Sequence, residues 1–167
     1  MIDHIVFDVD GTLTDGGIIV SDNGVESKVF QAKDGILIRE LPKLGFTTMI
    51  ITGRKSELTA IRADDMDISV IMQGINDKEA ALKSYFEEHK LSGERFAYIG
   101  DDVNDYRVMK LCAFKACPAD AVEEIRDISD YVSPKNGGFG AGRDICEYLL
   151  RRQGQYEDFL RLFDARD

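Results

Sequence analysis

The chain has 167 residues, 44% hydrophobic and 31% charged, the balance of a soluble globular protein, and a single domain spanning residues 1–167 is expected. Its formal net charge of −10 argues against a general basic field for nucleic acid or an anionic membrane; an anionic ligand would need a local cluster of Arg and Lys. No apolar stretch approaches the roughly 18 residues of a membrane span, and Cys112, Cys117 and Cys146 form no C-x-x-C, so a cytoplasmic protein without disulfides or a zinc site is expected.

The first apolar run, Ile2–Val9, reads as a buried strand, because β-branched and aromatic residues cluster in it. It leads into Asp8-Val9-Asp10-Gly11-Thr12, whose two carboxylates share one face if the segment is extended. Like charges that close ask for a cation, or for a nucleophile paired with a proton donor, although a solvated acidic turn has the same composition. Gly17–Phe30 follows, with β-rich arms on either side of Asn23-Gly24, and predicts a hairpin rising beside the carboxylates.

Further along, helical patterns at about Asp34–Leu44, Ser56–Met66, Lys78–His89, Asp105–Leu111, Ala121–Ile128, Ala141–Arg152 and Tyr156–Phe163 alternate with strand-like runs. The runs are Phe46–Thr52, Ile68–Met72, Phe96–Gly100, Ala113–Ala116 and Tyr131–Val132. This alternation predicts an α/β fold, a mainly parallel sheet with helices on both faces, and chemistry at the carboxyl ends of the strands.

Those ends carry reactive side chains. Ile51-Thr52-Gly53-Arg54 offers a hydroxyl before a tight turn, Lys78 opens a helix after Asn76-Asp77, and Ile99-Gly100 leads into Asp101-Asp102-Val103-Asn104-Asp105. A lysine at a helix start suits an anion, which the helix N-terminus already favours. Each has an ordinary structural explanation alone: a strand threonine, a solvated first-turn lysine, an acidic helix start. Together and in this order they point to one site.

The order resembles the haloacid dehalogenase superfamily of phosphohydrolases over nearly the whole chain, which implies a Rossmann-like core. The resemblance implies that Asp8 attacks phosphorus and becomes an aspartyl phosphate. Asp10 would protonate the leaving alkoxide and then take a proton from the hydrolytic water, while Thr52 and Lys78 hold phosphoryl oxygens. Asp8, the backbone carbonyl of Asp10, and Asp101 would bind Mg²⁺, with Asp102 and Asp105 supporting Lys78 and the metal waters. Elementary chemistry agrees: a hard cation takes carboxylate oxygens, and phosphoryl transfer needs positioning and charge stabilisation above all.

In this superfamily a cap selects the substrate, inserted after the first motif or between the second and third. Here those intervals hold only the hairpin with one helix, and a helix–strand unit. The chain therefore resembles capless members, whose open sites a neighbouring subunit covers, and a homotetramer is expected. Leu13-Thr14-Asp15-Gly16, Asp22-Asn23-Gly24, Phe30 through Gly35, Thr52 through Ser56, Gln73-Gly74, Tyr98 through Asp102 and the loop Gly137, Gly138, Gly140 are similar to the phosphatases of eight- and nine-carbon sugar acids. The pattern resembles the 3-deoxy-D-manno-octulosonate 8-phosphate (KDO 8-phosphate) phosphatases in particular.

That resemblance implies substrate contacts from Asp10, Gln31, Ala32, Lys33, Asp34, Gly35, Arg39, Thr52, Gly53, Arg54, Arg62 and Lys78. Arginine suits the planar carboxylate of a sugar acid through its bidentate fork. Thr12 stands where these phosphatases usually carry valine, and Phe139 where the KDO 8-phosphate enzymes usually carry arginine. A nine-carbon substrate, an acylneuraminate or ketodeoxynononate 9-phosphate, is the alternative. The domain also resembles the C-terminal half of some sialic acid cytidylyltransferases, a non-catalytic oligomerisation module, but a scaffold has no need of Asp8, Asp10, Thr52, Lys78 and Asp101 together. A mutase-like phosphotransferase would lack the cap to hold its intermediate.

Overall fold

The computed structural model describes residues 1–165. Six strands form one parallel sheet in the order β5 (Val70–Gln73), β4 (Thr47–Thr52), β1 (His4–Phe7), β6 (Phe96–Ile99), β7 (Phe114–Cys117) and β8 (Tyr131–Val132). β2 (Ile19–Val20) and β3 (Glu26–Ser27) make a separate antiparallel ribbon. The helices are α1 (Ala32–Glu40), α2 (Glu57–Asp65), α3 (Lys78–His89), α4 (Tyr106–Met109), α5 (Glu123–Ile128), α6 (Ala141–Gln153) and α7 (Tyr156–Arg161).

Successive side chains of a strand leave opposite faces, and β1 shows the consequence. Ile5 and Phe7 enter one core cluster with Leu37 and Ile38 of α1, Ala63 of α2, Ile145 and Leu149 of α6, and Phe159 of α7. Val6 enters the other, with Met49 and Ile51 of β4, Leu82 of α3, Val108 of α4 and Ile125 of α5. Both faces of the sheet are thus covered, as the unbroken apolar run of β1 requires. Phe7 pairs with Ile50 on one side and Ile99 on the other, so the residues that follow all three strands meet at one sheet edge. No inserted cap lies between β1 and β4 or between β4 and β5, where the chain carries only the ribbon, α1 with its short 3₁₀ extension, and α2.

Some element bounds differ from the sequence pattern. The first strand stops at Phe7 rather than Val9, because the N–H groups of Thr12, Leu13 and Thr14 all turn back onto the Val9 carbonyl at 3.2, 2.9 and 3.1 Å. The turn, and not the strand pleat, carries Asp10 back beside Asp8. The helix expected to reach Leu44 is α1 to Glu40 and then a 3₁₀ turn, Leu41–Leu44, since Pro42 has no N–H for the Ile38 carbonyl. The helix expected from Asp105 shortens to α4. The hairpin is present with a three-residue turn, Asp22 to Gly24, and short arms. Its returning arm alternates: Glu26, Lys28 and Phe30 are partly buried while Ser27 and Val29 are exposed, so one face of the arm lies against the body of the protein. Among the described residues no helix is long and apolar enough to cross a membrane.

Candidate active site at the carboxyl edge of the sheet

The floor of the site is a buried ion triad. Lys78, the first residue of α3, has its Nζ 2.7 Å from Asp8 Oδ1 and 2.7 Å from Asp105 Oδ1. It is placed there because Asp77 caps α3, accepting from the Ala80 N–H at 2.9 Å. Asp105 is held from two further directions: the Tyr98 hydroxyl donates to Oδ1 at 2.9 Å and the Asp101 N–H to Oδ2 at 3.2 Å. Burial pushes the Asp8 carboxyl up to about 6; the charge of Asp105 adds to the rise and Lys78 opposes it. Burial alone would lower Lys78, but Asp8 and Asp105 outweigh it and hold the ammonium above its ordinary range. The lysine therefore stays charged, fixed between two carboxylates.

Asp101 stands on the other side of Asp8. Oxygens of Asp8, Asp101 and Asp105 lie within 4.8 Å of one another. Burial, then the charges of Asp8 and Asp105, push the Asp101 carboxyl up to about 8. Carboxylates crowded to this degree suit a hard divalent cation, and the all-oxygen donor set fits magnesium. Both oxygens of Asp105 are engaged, Oδ1 by Lys78 and Tyr98 and Oδ2 by the Asp101 N–H, whereas Asp8 meets Lys78 through Oδ1 alone, which leaves Asp8 and Asp101 as the carboxylates able to hold such an ion. Thr12, fully buried, donates its hydroxyl to Asp101 Oδ1 at 3.0 Å. Gly11 makes room: its φ is +91°, and a Cβ there would sit 2.1 Å from Asp101 Oδ2. The glycine loop braces the same turn, since a Cβ on Gly137 would lie 1.8 Å from the Gly11 carbonyl oxygen.

Asp8, Asp10, Thr52, Gly53, Arg54, Asp101, Asp102 and Asn104 line one pocket of about 200 Å³. That volume takes a phosphoryl group and the atoms next to it, so the remainder of a larger ester must lie on the rim. Asp102 does not reach Lys78; its carboxylate accepts from the Val103 N–H at 2.6 Å. Over the pocket the returning arm of the hairpin delivers two charges that the motif pattern does not contain. Lys28 Nζ lies 2.7 Å from Asp10 Oδ1, with the lysine side chain 0% exposed and that of Asp10 19%. Glu26 Oε1 lies 2.5 Å from an Arg54 guanidinium nitrogen. The period-two alternation of Glu26, Lys28 and Phe30 is the sequence signal that could have found them.

The other expected substrate contacts lie outside this pocket. Gln31 and Lys33 line a separate groove with Lys135, Phe139, Gly140, Arg143, Asp144 and Glu147. Ala32, Gly35, Arg39 and Arg62 line another, in which Arg62 donates to the Gln31 carbonyl at 3.3 Å. Asp34, expected to touch substrate, is 2% exposed and instead accepts from the Arg143 N–H at 2.9 Å in the first turn of α6. Its position in the first turn of α1 aims it at the neighbouring helix N-terminus, where an anion is favoured. Phe139 is 63% exposed.

A family model described as haloacid dehalogenase-like hydrolase matches residues 55–141. The 3-deoxy-D-manno-octulosonate 8-phosphate phosphatase KdsC of Escherichia coli K12 is 36% identical over 154 residues, covering 92% of this chain and 82% of the relative. The crystal structure of 3-deoxy-D-manno-octulosonate 8-phosphate phosphatase from Moraxella catarrhalis, in complex with a magnesium ion, a phosphate ion and a KDO molecule, superposes with a TM-score of 0.93 at 37% identity, covering 97% of this chain and 93% of that one. The cobalt-bound phosphatase from Haemophilus influenzae gives 0.87 at 32% identity, with 93% and 91% covered.

Proposed function

The chain belongs to the haloacid dehalogenase-like hydrolases, and from that premise we propose that it is a magnesium-dependent phosphatase of 3-deoxy-D-manno-octulosonate 8-phosphate. The observation that carries the reading is the Lys78 ammonium held between Asp8 and Asp105, directly beneath a pocket that Asp8, Asp10, Thr52 and Asp101 line.

In this mechanism an oxygen of Asp8 attacks phosphorus, the bond from phosphorus to the ester oxygen breaks, and Asp10 gives that oxygen its proton. Water then attacks the aspartyl phosphate, Asp10 takes its proton, and phosphate leaves with Asp8 restored. Lys78 and Thr52 hold phosphoryl oxygens, and Asp105 keeps Lys78 in place. Asp8, the Asp10 backbone carbonyl and Asp101 would hold Mg²⁺, which when bound supplies the positive charge that lets an anionic carboxylate approach an anionic phosphate. Asp102, at the pocket rim, would support the metal's waters.

Arg54, beside Thr52 and Gly53, is the candidate partner for the sugar-acid carboxylate. In the free protein Glu26 fills that role, and an exposed pair of this kind is worth only about 0–1 kcal/mol, so a substrate carboxylate displaces it at small cost. Gln31, Ala32, Lys33, Gly35, Arg39 and Arg62 lie on adjoining surfaces and would meet substrate only where subunits share a site. A homotetramer is the assembly proposed. The exposed apolar residues Ile19, Val20, Val25 and Val29 of the hairpin support a subunit contact, which sedimentation would detect. Three free, buried cysteines suit the cytoplasm.

Phosphate release with Mg²⁺ from KDO 8-phosphate, acylneuraminate 9-phosphate and glucose 6-phosphate tests the reading. The eight-carbon sugar acid is the expected best substrate. Preference for the nine-carbon ester would transfer the assignment to that substrate, in keeping with Phe139. Glucose 6-phosphate performing equally well would remove the sugar-acid claim, and no release from any ester would remove the phosphatase claim.

A further inference from the structure

We propose that Lys28, on the hairpin, is a positioning residue for Asp10. The inference rests on the reading of Asp10 as the proton carrier, and it concerns a residue outside the four motifs.

The side chain of Lys28 is fully buried, and its Nζ meets Asp10 Oδ1 at 2.7 Å. The two atoms meet as an ion pair without aligned hydrogen-bond geometry, and neither makes a hydrogen bond to any other group among the described residues, so this charge contact is their one polar contact. Burying an ammonium carries a desolvation penalty that an apolar side chain avoids, and a methionine of similar length would seat the arm more simply. A latch for the hairpin therefore does not explain the lysine, particularly since Phe30 already anchors the arm through its bridge to Thr14.

Asp10 sits in the turn beyond the end of β1, outside the sheet ladder, so its carboxylate needs an outside group to fix its rotation. Lys28 takes Oδ1 and thereby leaves Oδ2 for the ester. In the first half-reaction the new bond joins Asp8 to phosphorus, the phosphorus–ester oxygen bond breaks with its electron pair going to oxygen, and the proton moves from Asp10 Oδ2 to that oxygen. A carboxylate free to rotate would be misaligned for that transfer much of the time.

The dependence on leaving group separates this role from a structural one. With Mg²⁺ present, kcat/KM is measured for benzyl phosphate, whose alkoxide needs the proton, and for p-nitrophenyl phosphate, whose phenolate does not. Lys28→Met is expected to lose about tenfold to hundredfold on benzyl phosphate and no more than about threefold on p-nitrophenyl phosphate. Asp10→Asn sets the reference split, and Lys28→Arg should recover most of the benzyl activity. Should Lys28→Met not fold, Lys28→Gln is expected to give the same split. Equal losses on the two esters, or no loss on either, overturn the proposal while the phosphatase reading stands. A wild-type protein that hydrolyses neither ester, or an Asp10→Asn variant with a flat loss, overturns the reading of Asp10 and this proposal with it.

Discussion

Lys78 holds Asp8 by a contact of 2.7 Å while its other contact, to Asp105, is equally short. The candidate nucleophile is thus aligned by a cation that is itself fixed from behind, and removal of that cation is the most damaging single change the site predicts. Lys78→Met leaves two buried carboxylates without their partner and is expected to cost about 3–5 kcal/mol of stability as well as all phosphate release. Urea unfolding of the metal-free protein reads the first effect. A variant as stable as the parent would show that the triad does not hold the floor of the site.

Thr12 lies behind Asp101, and its hydroxyl orients a carboxylate that would hold the metal. Thr12→Val removes that hydrogen bond at nearly constant volume. Mg²⁺ affinity by calorimetry is expected to fall by about tenfold, the lower end of what outer partners of metal ligands contribute. An unchanged affinity would mean that Gly11 and the Asp105–Asp101 contact orient Asp101 unaided.

Arg54 faces the pocket from the strand end, paired with Glu26, and is proposed to exchange that partner for a substrate carboxylate. Arg54→Met is expected to raise KM for KDO 8-phosphate by about tenfold to hundredfold, the worth of one charge-assisted hydrogen bond. KM for p-nitrophenyl phosphate, which has no carboxylate, should stay put. A parallel rise for both esters would assign Arg54 to the phosphate instead.

The sheet, its helices and the residues at its carboxyl edge were legible in the sequence because apolar periodicity and strand-end motifs are local signals. Asp8, Thr52, Lys78 and Asp101 announce themselves by standing where a strand stops or a helix starts. Lys28 does not: it becomes visible only when a ribbon folds over the pocket and the alternation of Glu26, Lys28 and Phe30 gains an inside and an outside. Asp34 is the opposite case. Its place next to Gly35 suggested a ligand contact, while its direction is set by the N-terminus of α6, more than 100 positions along the chain, which no local pattern carries.

That buried carboxylate gives a pH signature. Burial pushes Asp34 up to about 6, against the opposing pull of the Arg143 and Gly142 N–H groups and the Arg62 and Arg143 charges. The folded protein then holds this proton more tightly than the unfolded chain, so the contribution to stability is complete below about pH 4 and declines as pH rises to about 6. The decline is about 3 kcal/mol. Asp34→Asn cannot ionise, and its Tm relative to the parent is expected to climb between pH 4 and 6 and then level off. A difference that stays constant over that range would show that Asp34 is not held in its protonated form.

The central claim is that Asp8 carries the phosphoryl group between the two half-reactions. Acid quenching of the protein during turnover of KDO 8-phosphate with Mg²⁺, followed by peptide mass spectrometry, tests it most directly. A phosphorylated aspartate is expected at Asp8, absent from Asp8→Asn, which should also release no phosphate. Phosphate release that persists in Asp8→Asn, or a phosphoryl group found on any other residue, would contradict it.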